Sequence, residues 1–344
     1  MNVESSVSTA SGQLLISVVV IGRNEGERLR RCLQSVLSMA HDNFQVEVIY
    51  VDSGSTDDSV SLAEAMGAKA IALQPERPTA ALGRNAGWRL ATGSIVLFLD
   101  GDTILHPRFV MDALHEFDSA EVAVVWGHRR ELYPERSLYN RVLDLDWIYL
   151  PGLTPFCGGD ALFRRTALEE TGGFEETLIA GEEPELCRRI SGFGYTILHV
   201  DRPMTRHDLA ITRWQQYWKR AVRSGYAFAE VSERLRASGQ SFWIEESKKN
   251  RNRALALLGL FSAAVVISIA VASALPALAV LLPFIALALR SSWKARWKSN
   301  DVVALALYGV HSHLQQIPIY FGQLQYKWNQ RKGRRAVLFE YKRP

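Results

Sequence analysis

The sequence predicts an α/β fold with a doubly wound sheet, followed by a helical membrane region. Two observations support this prediction. In residues 14–100, short apolar runs that suit buried strands alternate with amphipathic segments, which is the pattern of a parallel sheet covered by helices. Residues 254–289 contain no charged side chain, which is unlike any surface segment of a water-soluble domain.

The first hundred residues are expected to form four parallel strands. Each apolar run is bounded by polar residues, and the segments between the runs place their apolar side chains on one helical face. The pattern of the next hundred residues is mixed and includes a loop at 154–160. The predicted strands are 15–21, 46–51, 69–73, 94–99, 122–130, 161–164 and 196–200, and the predicted helices are 27–39, 59–66, 79–91, 106–117, 138–149, 182–193 and 214–236.

The apolar block 254–289 is too long for one membrane span. As a single helix it would measure about 50 Å, whereas a bilayer core is about 30 Å thick. Ser273, Pro276 and Pro283 interrupt it, so we expect a hairpin with arms 254–272 and 275–289, and a re-entrant segment is the alternative. Basic residues flank both ends and place them on the cytoplasmic side. Residues 301–322 fit either an interfacial position or a third span.

The predicted organisation has five parts. They are a disordered tail (1–13), an α/β domain (14–236), a basic linker (237–253), a transmembrane or re-entrant hairpin (254–289) and an amphipathic, interfacial C-terminal region (290–344). The N-terminus lacks a basic, apolar signal peptide, so the α/β domain is expected to face the cytoplasm. The net charge of +4 comes mainly from the flanks of the apolar block, which favours a membrane lipid partner over nucleic acid. Cys32, Cys157 and Cys187 lack metal spacing and predict free thiols.

Polar side chains follow the predicted strands of the first hundred residues. Because the carboxyl ends of parallel strands meet at one edge of a sheet, these side chains should lie together. Two carboxylates separated by one glycine, in Asp100-Gly101-Asp102, offer hard oxygen ligands for Mg²⁺ or Mn²⁺, although such a tripeptide alone is also a common turn. A guanidinium in Gly83-Arg84-Asn85 suits a diphosphate. The sequence therefore predicts a site for a metal-bound phosphate ester.

The order of these motifs resembles that of the family 2 glycosyltransferases. The resemblance is carried by residues 17–25, 51–57, 83–87 and 99–102, and it covers about residues 15–236. It implies the GT-A fold, a nucleotide-diphosphate sugar donor, a divalent metal (Mg²⁺ or Mn²⁺) and inversion at the anomeric carbon. The nucleotide-sugar-binding residues that it implies are Gly22, Arg23, Asn24, Glu25, Asp52, Arg84, Asn85, Asp100 and Gly101.

The resemblance also assigns roles to single residues. Asp52 would hold the base, Glu25 the base or ribose, Asp100 the ribose or metal, and Asp102 would be the main metal ligand. Family members often have two acidic residues where this chain has Asp52 and Ser53, which leaves the identity of the base open.

An inverting transfer also needs a general base to deprotonate the acceptor. Glu183 lies where the family usually has Asp and is the candidate, with Glu182 as the second choice. The alternative is that these carboxylates only provide favourable charge at a helix N-terminus.

Three further groups complete the predicted site. Gly158, Gly159 and Asp160 resemble the loop that lines the donor sugar and acceptor, although Asp160 equally suits a turn cap. His207 is either a metal or diphosphate ligand or a structural residue. Arg213 and Trp214 fit the acceptor and sugar pocket. The Gln-x-x-Arg-Trp motif of processive synthases is incomplete, because Ala210 stands at the Gln position.

Together these features predict inverting, metal-dependent sugar transfer to a hydroxyl of a lipid-linked or glycan acceptor. The reaction would take place at the cytoplasmic face of the inner membrane, in cell-envelope glycan, exopolysaccharide or glycolipid synthesis. A polyprenyl-phosphate glycosyltransferase is one alternative, and a catalytically dead binding or scaffold protein is another. A dinucleotide-dependent oxidoreductase is excluded, because the first strand lacks the Gly-x-Gly-x-x-Gly turn.

Overall fold

The computed structural model describes residues 13–41 and 43–334, which form two compact units. Among the described residues, the α/β unit comprises those up to Leu132 and Tyr149–Leu209, and the helical unit comprises Tyr133–Ile148 and those from Ala210 onwards. The predicted disordered tail, apart from Gln13, lies outside the described residues. The helices, numbered along the chain, are α1 (Glu27–Leu37), α2 (Ser59–Ala65), α3 (Ala80–Leu90), α4 (Phe109–Ala113), α5 (Leu138–Asp146), α6 (Arg165–Thr171), α7 (Glu182–Gly192), α8 (Trp214–Ala237), α9 (Ile244–Ala270), α10 (Leu275–Lys294), α11 (Val302–Leu314) and α12 (Gln316–Arg331).

The α/β unit is built on one mixed sheet. Its nine strands are β1 (Leu14–Gly22), β2 (Phe44–Asp52), β3 (Lys69–Ala72), β4 (Ile95–Asp100), β5 (Thr103–Leu105), β6 (Val122–Glu131), β7 (Gly152–Leu153), β8 (Ala161–Arg164) and β9 (Thr196–His207). The strand order is β3-β2-β1-β4-β8-β6-β9-β5, and β7 pairs with β9. Strands β1 to β4 are parallel, as predicted, whereas β8 runs antiparallel to both β4 and β6.

The parallel strands align the predicted site residues at one edge of the sheet. In the register of β1 with its neighbours, Gly22 pairs with Asp52, and Ile21 pairs with Asp100. Helix α3 approaches β1 closely because its Gly87 has no side chain: a Cβ there would lie 2.2 Å from Cγ1 of Val19. The apolar runs are buried on both faces, which explains their lack of alternation.

The helical unit contains α5 and α8 to α12. Among the described residues, α9 and α10 are the two helices long and apolar enough to cross a membrane, and only 17% and 6% of their apolar windows are buried. They correspond to the two arms of the predicted hairpin. Helix α9 begins earlier than the predicted arm and includes the basic residues Lys248, Lys249, Arg251 and Arg253, so most of the predicted linker is helical. Helix α11 has 13 residues, fewer than the roughly 20 that a span requires.

The sequence places helix α8 in the α/β domain, whereas the structure groups it with the C-terminal helices. The reason is a close crossing of α8 and α12 that depends on two glycines. A Cβ on Gly225 would lie 1.9 Å from the carbonyl oxygen of Ile319, and one on Gly322 would lie 2.0 Å from that of Val222. The backbones of the two helices are therefore in direct contact. Nothing in the sequence of α8 identifies this partner.

Replacing Gly225 with alanine should destabilise the helical unit. The added methyl group would overlap a backbone carbonyl, and forced overpacking of this kind costs about 1–3 kcal/mol. Thermal unfolding of the full chain in detergent measures the effect. The matched control is Gly259→Ala in α9, where a Cβ meets nothing within 4 Å. Since alanine favours helix over glycine, the control should be neutral or stabilising. Equal melting temperatures for the two variants would contradict the crossing.

Candidate active site

Two acidic residues and one histidine meet where β4 and β9 end. Ligand atoms of Asp100, Asp102 and His207 all lie within 4.8 Å of one another. Nε2 of His207 lies 3.1 Å from Oδ1 of Asp102, and both side chains are buried. Burial, followed by the nearby Arg129 charge, lowers the pKa of His207 to about 4, so its imidazole is neutral at pH 7.

The donor set of this cluster fits a divalent cation. Two carboxylates supply hard oxygen ligands, and neutral imidazole is a ligand that Mn²⁺ also accepts. The turn that presents Asp102 is fixed on both sides: the Gly101 amide donates to the Ile21 carbonyl (2.7 Å), and the Asp208 amide donates to the Asp102 carbonyl (3.0 Å). The predicted metal ligands Asp100, Asp102 and His207 are therefore brought together.

A buried guanidinium connects this cluster to helix α7. Arg84 donates from Nη2 to Asp100 Oδ1 (2.9 Å) and from Nη1 to Glu182 Oε1 (2.8 Å). The same Nη1 lies 3.1 Å from Glu183 Oε1. Burial opposes the charged guanidinium, but the carboxylates of Glu183, Asp100 and Glu182 outweigh it and raise the pKa of Arg84. Arg84 thus stays positive and holds three carboxylates around it.

Glu183 combines partial exposure with a shifted pKa. It lies in the first turn of α7, where 15% of its side chain is exposed, whereas Glu182 is almost fully buried. Burial, followed by the negative charge of Glu182, raises the pKa of Glu183 to about 7. A carboxylate with that pKa can accept a proton near neutral pH. The acidic first turn also provides favourable charge at the N-terminus of α7, and the predicted role of Glu183 as general base stays a prediction.

The loop before β8 completes the surroundings of these side chains. Asp160 accepts hydrogen bonds from the Asp100 amide (3.1 Å) and the Thr205 hydroxyl (2.8 Å). A Cβ on Gly159 would lie 2.7 Å from Arg84 Nη2 and 3.2 Å from Glu183 Oε1, so only glycine leaves these atoms in place. Asp160 is buried and holds the end of β4. Its predicted contact with a sugar hydroxyl stays a prediction.

Arg129 is a site residue that the sequence analysis missed. Its guanidinium lies 3.3 Å from Asp100 Oδ2 and 3.4 Å from Asp160 Oδ2, and its side chain is 14% exposed. It comes near the end of β6, which is next to β9 in the sheet but far from β4 in the sequence. The sequence feature that could have identified Arg129 is its position as a cationic residue near the carboxyl end of the buried strand β6.

Asp160→Asn should destabilise the α/β unit. The substitution keeps the shape of the buried side chain but removes the charge opposite the partly buried Arg129, which retains Asp100 as a partner, so the cost should be about 1–3 kcal/mol. Urea unfolding of the full chain in detergent measures the change. Asp112→Asn, at a partly exposed pair with Arg108 on α4, is the matched control and should stay within about 0.5 kcal/mol. Equal stabilities for the two variants would contradict this role of Asp160.

The ends of β1 and β2 form a second polar group. Asp52 is buried and accepts hydrogen bonds from the Tyr50 hydroxyl (2.9 Å) and the amides of Gly54 (3.0 Å) and Ser55 (2.7 Å). Asn24, with φ of 54°, accepts from the Thr56 amide (2.7 Å). These bonds make Asp52 and Asn24 organisers of the two loops, and their predicted contacts with the base stay predictions.

The remaining predicted nucleotide-sugar-binding residues lie at the same edge or just behind it. Arg23 Nε donates to the Gly54 carbonyl (3.3 Å), and Glu25 Oε2 pairs with Arg28 (2.8 Å). A Cβ on Gly22 or Gly101 would lie 3.2 or 3.3 Å from Cγ of Glu25, so both glycines keep this turn compact.

Asn85 has a structural role on helix α3. Its Nδ2 donates to the Phe174 carbonyl (2.8 Å), and its Oδ1 accepts from the Phe174 amide (2.9 Å) and Trp88 Nε1 (2.9 Å). Arg213 and Trp214 belong to the helical unit, at the start of α8. The donor contact of Asn85 and the acceptor contacts of Arg213 and Trp214 stay predictions.

The three cysteines are free, as predicted, and all are buried. Sγ of Cys157 lies 3.6 Å from Sγ of Cys187, next to the glycine loop and on α7. Burial, followed by the hydrogen bond with Cys187, raises the pKa of Cys157 well above its usual range, so its thiol is protonated.

Comparison with known proteins identifies the family. The model of glycosyl transferase family 2 matches residues 17–172, and that of glycosyl transferase family group 2 matches residues 95–292. The chain is 25% identical over 191 residues to glycosyltransferase AglE of Haloferax volcanii, covering 53% of this chain and 63% of the relative. It is 26% identical over 213 residues to the pre-mycofactocin glycosyltransferase of Mycobacterium tuberculosis, covering 56% and 42%. The chain thus spans less than two thirds of these relatives.

A solved structure shares the fold. The mannosyltransferase of Pyrobaculum calidifontis, in complex with GDP-Man and Mn²⁺, superimposes with a TM-score of 0.65 at 21% identity, over 92% of this chain and 87% of that one. This likeness establishes the GT-A-like α/β fold that the motifs predict. Together with the family models, which reach across more than half of the chain, it confirms the resemblance. The chain belongs to family 2 of the glycosyltransferases.

Proposed function

We propose that this glycosyltransferase moves a sugar from a nucleotide-diphosphate sugar to a hydroxyl of a lipid-linked or glycan acceptor, with inversion at the anomeric carbon. The observation that carries the proposal is the position of the Arg84 guanidinium. It lies between Glu183 and Asp100, which belongs to the cluster of possible metal ligands. It places a carboxylate with a pKa of about 7 close to a set of divalent-cation ligands. A leaving diphosphate requires a cation that offsets its charge, and an attacking hydroxyl requires a carboxylate that takes its proton.

The donor would bind along the polar ends of β1, β2 and β4. Asp52 and Asn24 organise the loops at one end of this edge, and Asp100, Asp102 and His207 lie at the other. When bound by these three residues, a Mg²⁺ or Mn²⁺ ion would offset the charge of the leaving diphosphate. The related mannosyltransferase with GDP-Man and Mn²⁺ supports a donor and metal of this kind.

Glu183 would act as the general base. Its carboxylate takes the proton of the acceptor hydroxyl as the oxygen attacks the anomeric carbon, and the bond from that carbon to the diphosphate breaks. The attack comes from the face opposite the leaving group, which inverts the configuration. Arg84 keeps the Glu183 carboxylate oriented, and Gly159 leaves room beside it.

Two features favour an acceptor at the cytoplasmic face of the inner membrane. Helices α9 and α10 are apolar and mostly exposed within the chain. Basic residues lie at the start of α9 and the end of α10, which favours a cytoplasmic position for both ends. A single hairpin does not readily form a polysaccharide channel, which favours addition of one sugar over processive synthesis.

The product of a single transfer tests this proposal. The full chain in lipid nanodiscs is given anomerically pure UDP-, GDP- and dTDP-sugars, with either a lipid-linked glycan or a polyprenyl phosphate as acceptor. Proton NMR then reads the anomeric configuration of the product. We expect transfer to the hydroxyl acceptor with the configuration opposite to that of the donor.

The other outcomes separate the alternatives. Retention of configuration would contradict the role of Glu183. Transfer to the polyprenyl phosphate alone, with activity kept in Glu183→Gln, would identify an acceptor that is already ionised and needs no base. Absence of transfer together with absence of donor binding by calorimetry would identify a binding protein.

A further inference from the structure

A groove between α8 and α12 combines aromatic and basic side chains. It encloses about 810 Å³ within the helical unit. Its aromatic residues are Trp218, Phe321 and Trp328, and the ring centroids of Trp218 and Phe321 are 5.8 Å apart. Its described lining contains three cationic residues, Lys219, Lys327 and Arg331, and no carboxylate.

The groove lies beside the close crossing of α8 and α12. At Gly225 and Gly322 the backbones touch, and Val222 and Phe321, which line the groove, lie within one turn of this contact. Phe321, Leu324 and Trp328 remain exposed on α12 although they are large and apolar. Exposed aromatic side chains beside lysine and arginine are typical of the headgroup level of a bilayer, where one end of each side chain is wet and the other apolar.

Helix α12 lies beside the first turns of α9. Gln323 Nε2 donates to the Ser247 carbonyl (3.1 Å), and Lys327 lines a second groove of about 270 Å³ together with Lys248 and Arg251 of α9. These positions come directly before Ala254, where the apolar part of α9 begins. If α9 crosses a bilayer, α12 is therefore at the depth of the lipid headgroups.

We propose that the groove between α8 and α12 binds an anionic phospholipid of the bilayer. The phosphate would lie among Lys219, Lys327 and Arg331, and an acyl chain would contact the aromatic side chains. Two observations favour an anionic phospholipid: the three cations of the groove complement its phosphate, and the groove lies beside the start of α9. This site is separate from the proposed transfer chemistry and does not depend on its outcome.

Spin-labelled lipids test the proposal. The full chain is reconstituted in phosphatidylcholine vesicles with a small amount of spin-labelled phosphatidylglycerol or spin-labelled phosphatidylcholine. Electron paramagnetic resonance then gives the association of each lipid with the protein. We expect a preference for phosphatidylglycerol that weakens with added salt.

Removing the cations should abolish this preference. In Lys219→Gln/Lys327→Gln/Arg331→Gln it should fall by at least about fivefold, since one cation near an anionic surface contributes about that factor. These side chains are exposed, so the fold should survive. The charge-matched control is Arg30→Gln/Lys69→Gln/Arg108→Gln, which alters exposed cations of the α/β unit and should keep the preference.

Three results would overturn the proposal. Equal association of both lipids with the unaltered chain would exclude an anionic lipid. If the preference for phosphatidylglycerol is unchanged in the groove variant, or is lost equally in the control variant, cations outside the groove are responsible for it. A preference that arises only after removal of residues 335–344 would show that this segment occupies the groove instead.

Discussion

Asp102→Asn should abolish metal-dependent donor binding and almost all transfer. The substitution removes one of two carboxylates from the Asp100, Asp102 and His207 cluster, and with it a unit of negative charge. Loss of a residue that only supports a metal ligand weakens binding by up to about 100-fold. Loss of the ligand Asp102 itself should therefore weaken Mn²⁺ binding by at least that factor. Transfer should fall by roughly 1000-fold, since the charge of the leaving diphosphate is no longer offset. Calorimetric titration with Mn²⁺, before and after the donor is added, measures the binding.

Asp201→Asn is the matched control. Its carboxylate is 76% exposed and pairs with His128, away from the cluster. Mn²⁺ binding and transfer should match those of the unaltered chain. If Asp102→Asn also binds Mn²⁺ and donor with normal affinity, the assignment of the metal to this cluster is wrong.

Glu183→Gln should lower kcat by roughly 100- to 10,000-fold, the usual contribution of a general base. Glutamine keeps the size of the side chain but cannot accept the proton. Donor binding should persist, because Asp100, Asp102 and His207 remain in place. Steady-state kinetics together with donor calorimetry separates the two effects. Loss of donor binding in Glu183→Gln would show that Glu183 supports the donor rather than the acceptor.

The pH profile should carry the signature of Glu183. A base must be ionised to act, so kcat/KM should rise with pH and level off above about 7, the pKa of Glu183. Glu182→Gln removes a negative charge that raises this pKa, so the rise should move to lower pH while turnover persists. If Glu182→Gln eliminates turnover and Glu183→Gln does not, the two residues have exchanged roles.

The sequence predicted the parallel half of the sheet and the edge of the site. Near-continuous apolar runs mark β1, β2 and β4, and the polar residues that follow them fall into register at their carboxyl ends. This half is predictable because local periodicity and the parallel arrangement are enough to place Gly22, Asp52 and Asp100 side by side. Glu183 was named as the candidate base through the resemblance of residues 181–185 to the family's acidic motif, and the structure places it in the first turn of α7.

The other half of the site depends on contacts that are distant in the sequence. Arg129 reaches Asp100 because β6 lies between β8 and β9, and no local pattern specifies that order. Asp160 suited a turn cap as well as a sugar contact, and only its bond to the Asp100 amide reveals a supporting role. The crossing of α8 and α12 similarly depends on Gly225 and Gly322, which are 97 positions apart. Local sequence patterns do not show that two such distant glycines pack together.

The most direct test of the central claim is metal-dependent turnover of UDP-, GDP- and dTDP-sugars by the full chain, with Asp102→Asn and Glu183→Gln assayed beside it. The site described here predicts that one donor is consumed in the presence of Mn²⁺ or Mg²⁺ and a hydroxyl acceptor. Chelation and either substitution should suppress this turnover, while Glu183→Gln still binds the donor. Turnover that persists without metal and in both variants would contradict a site in which Asp102 and Glu183 share the chemistry.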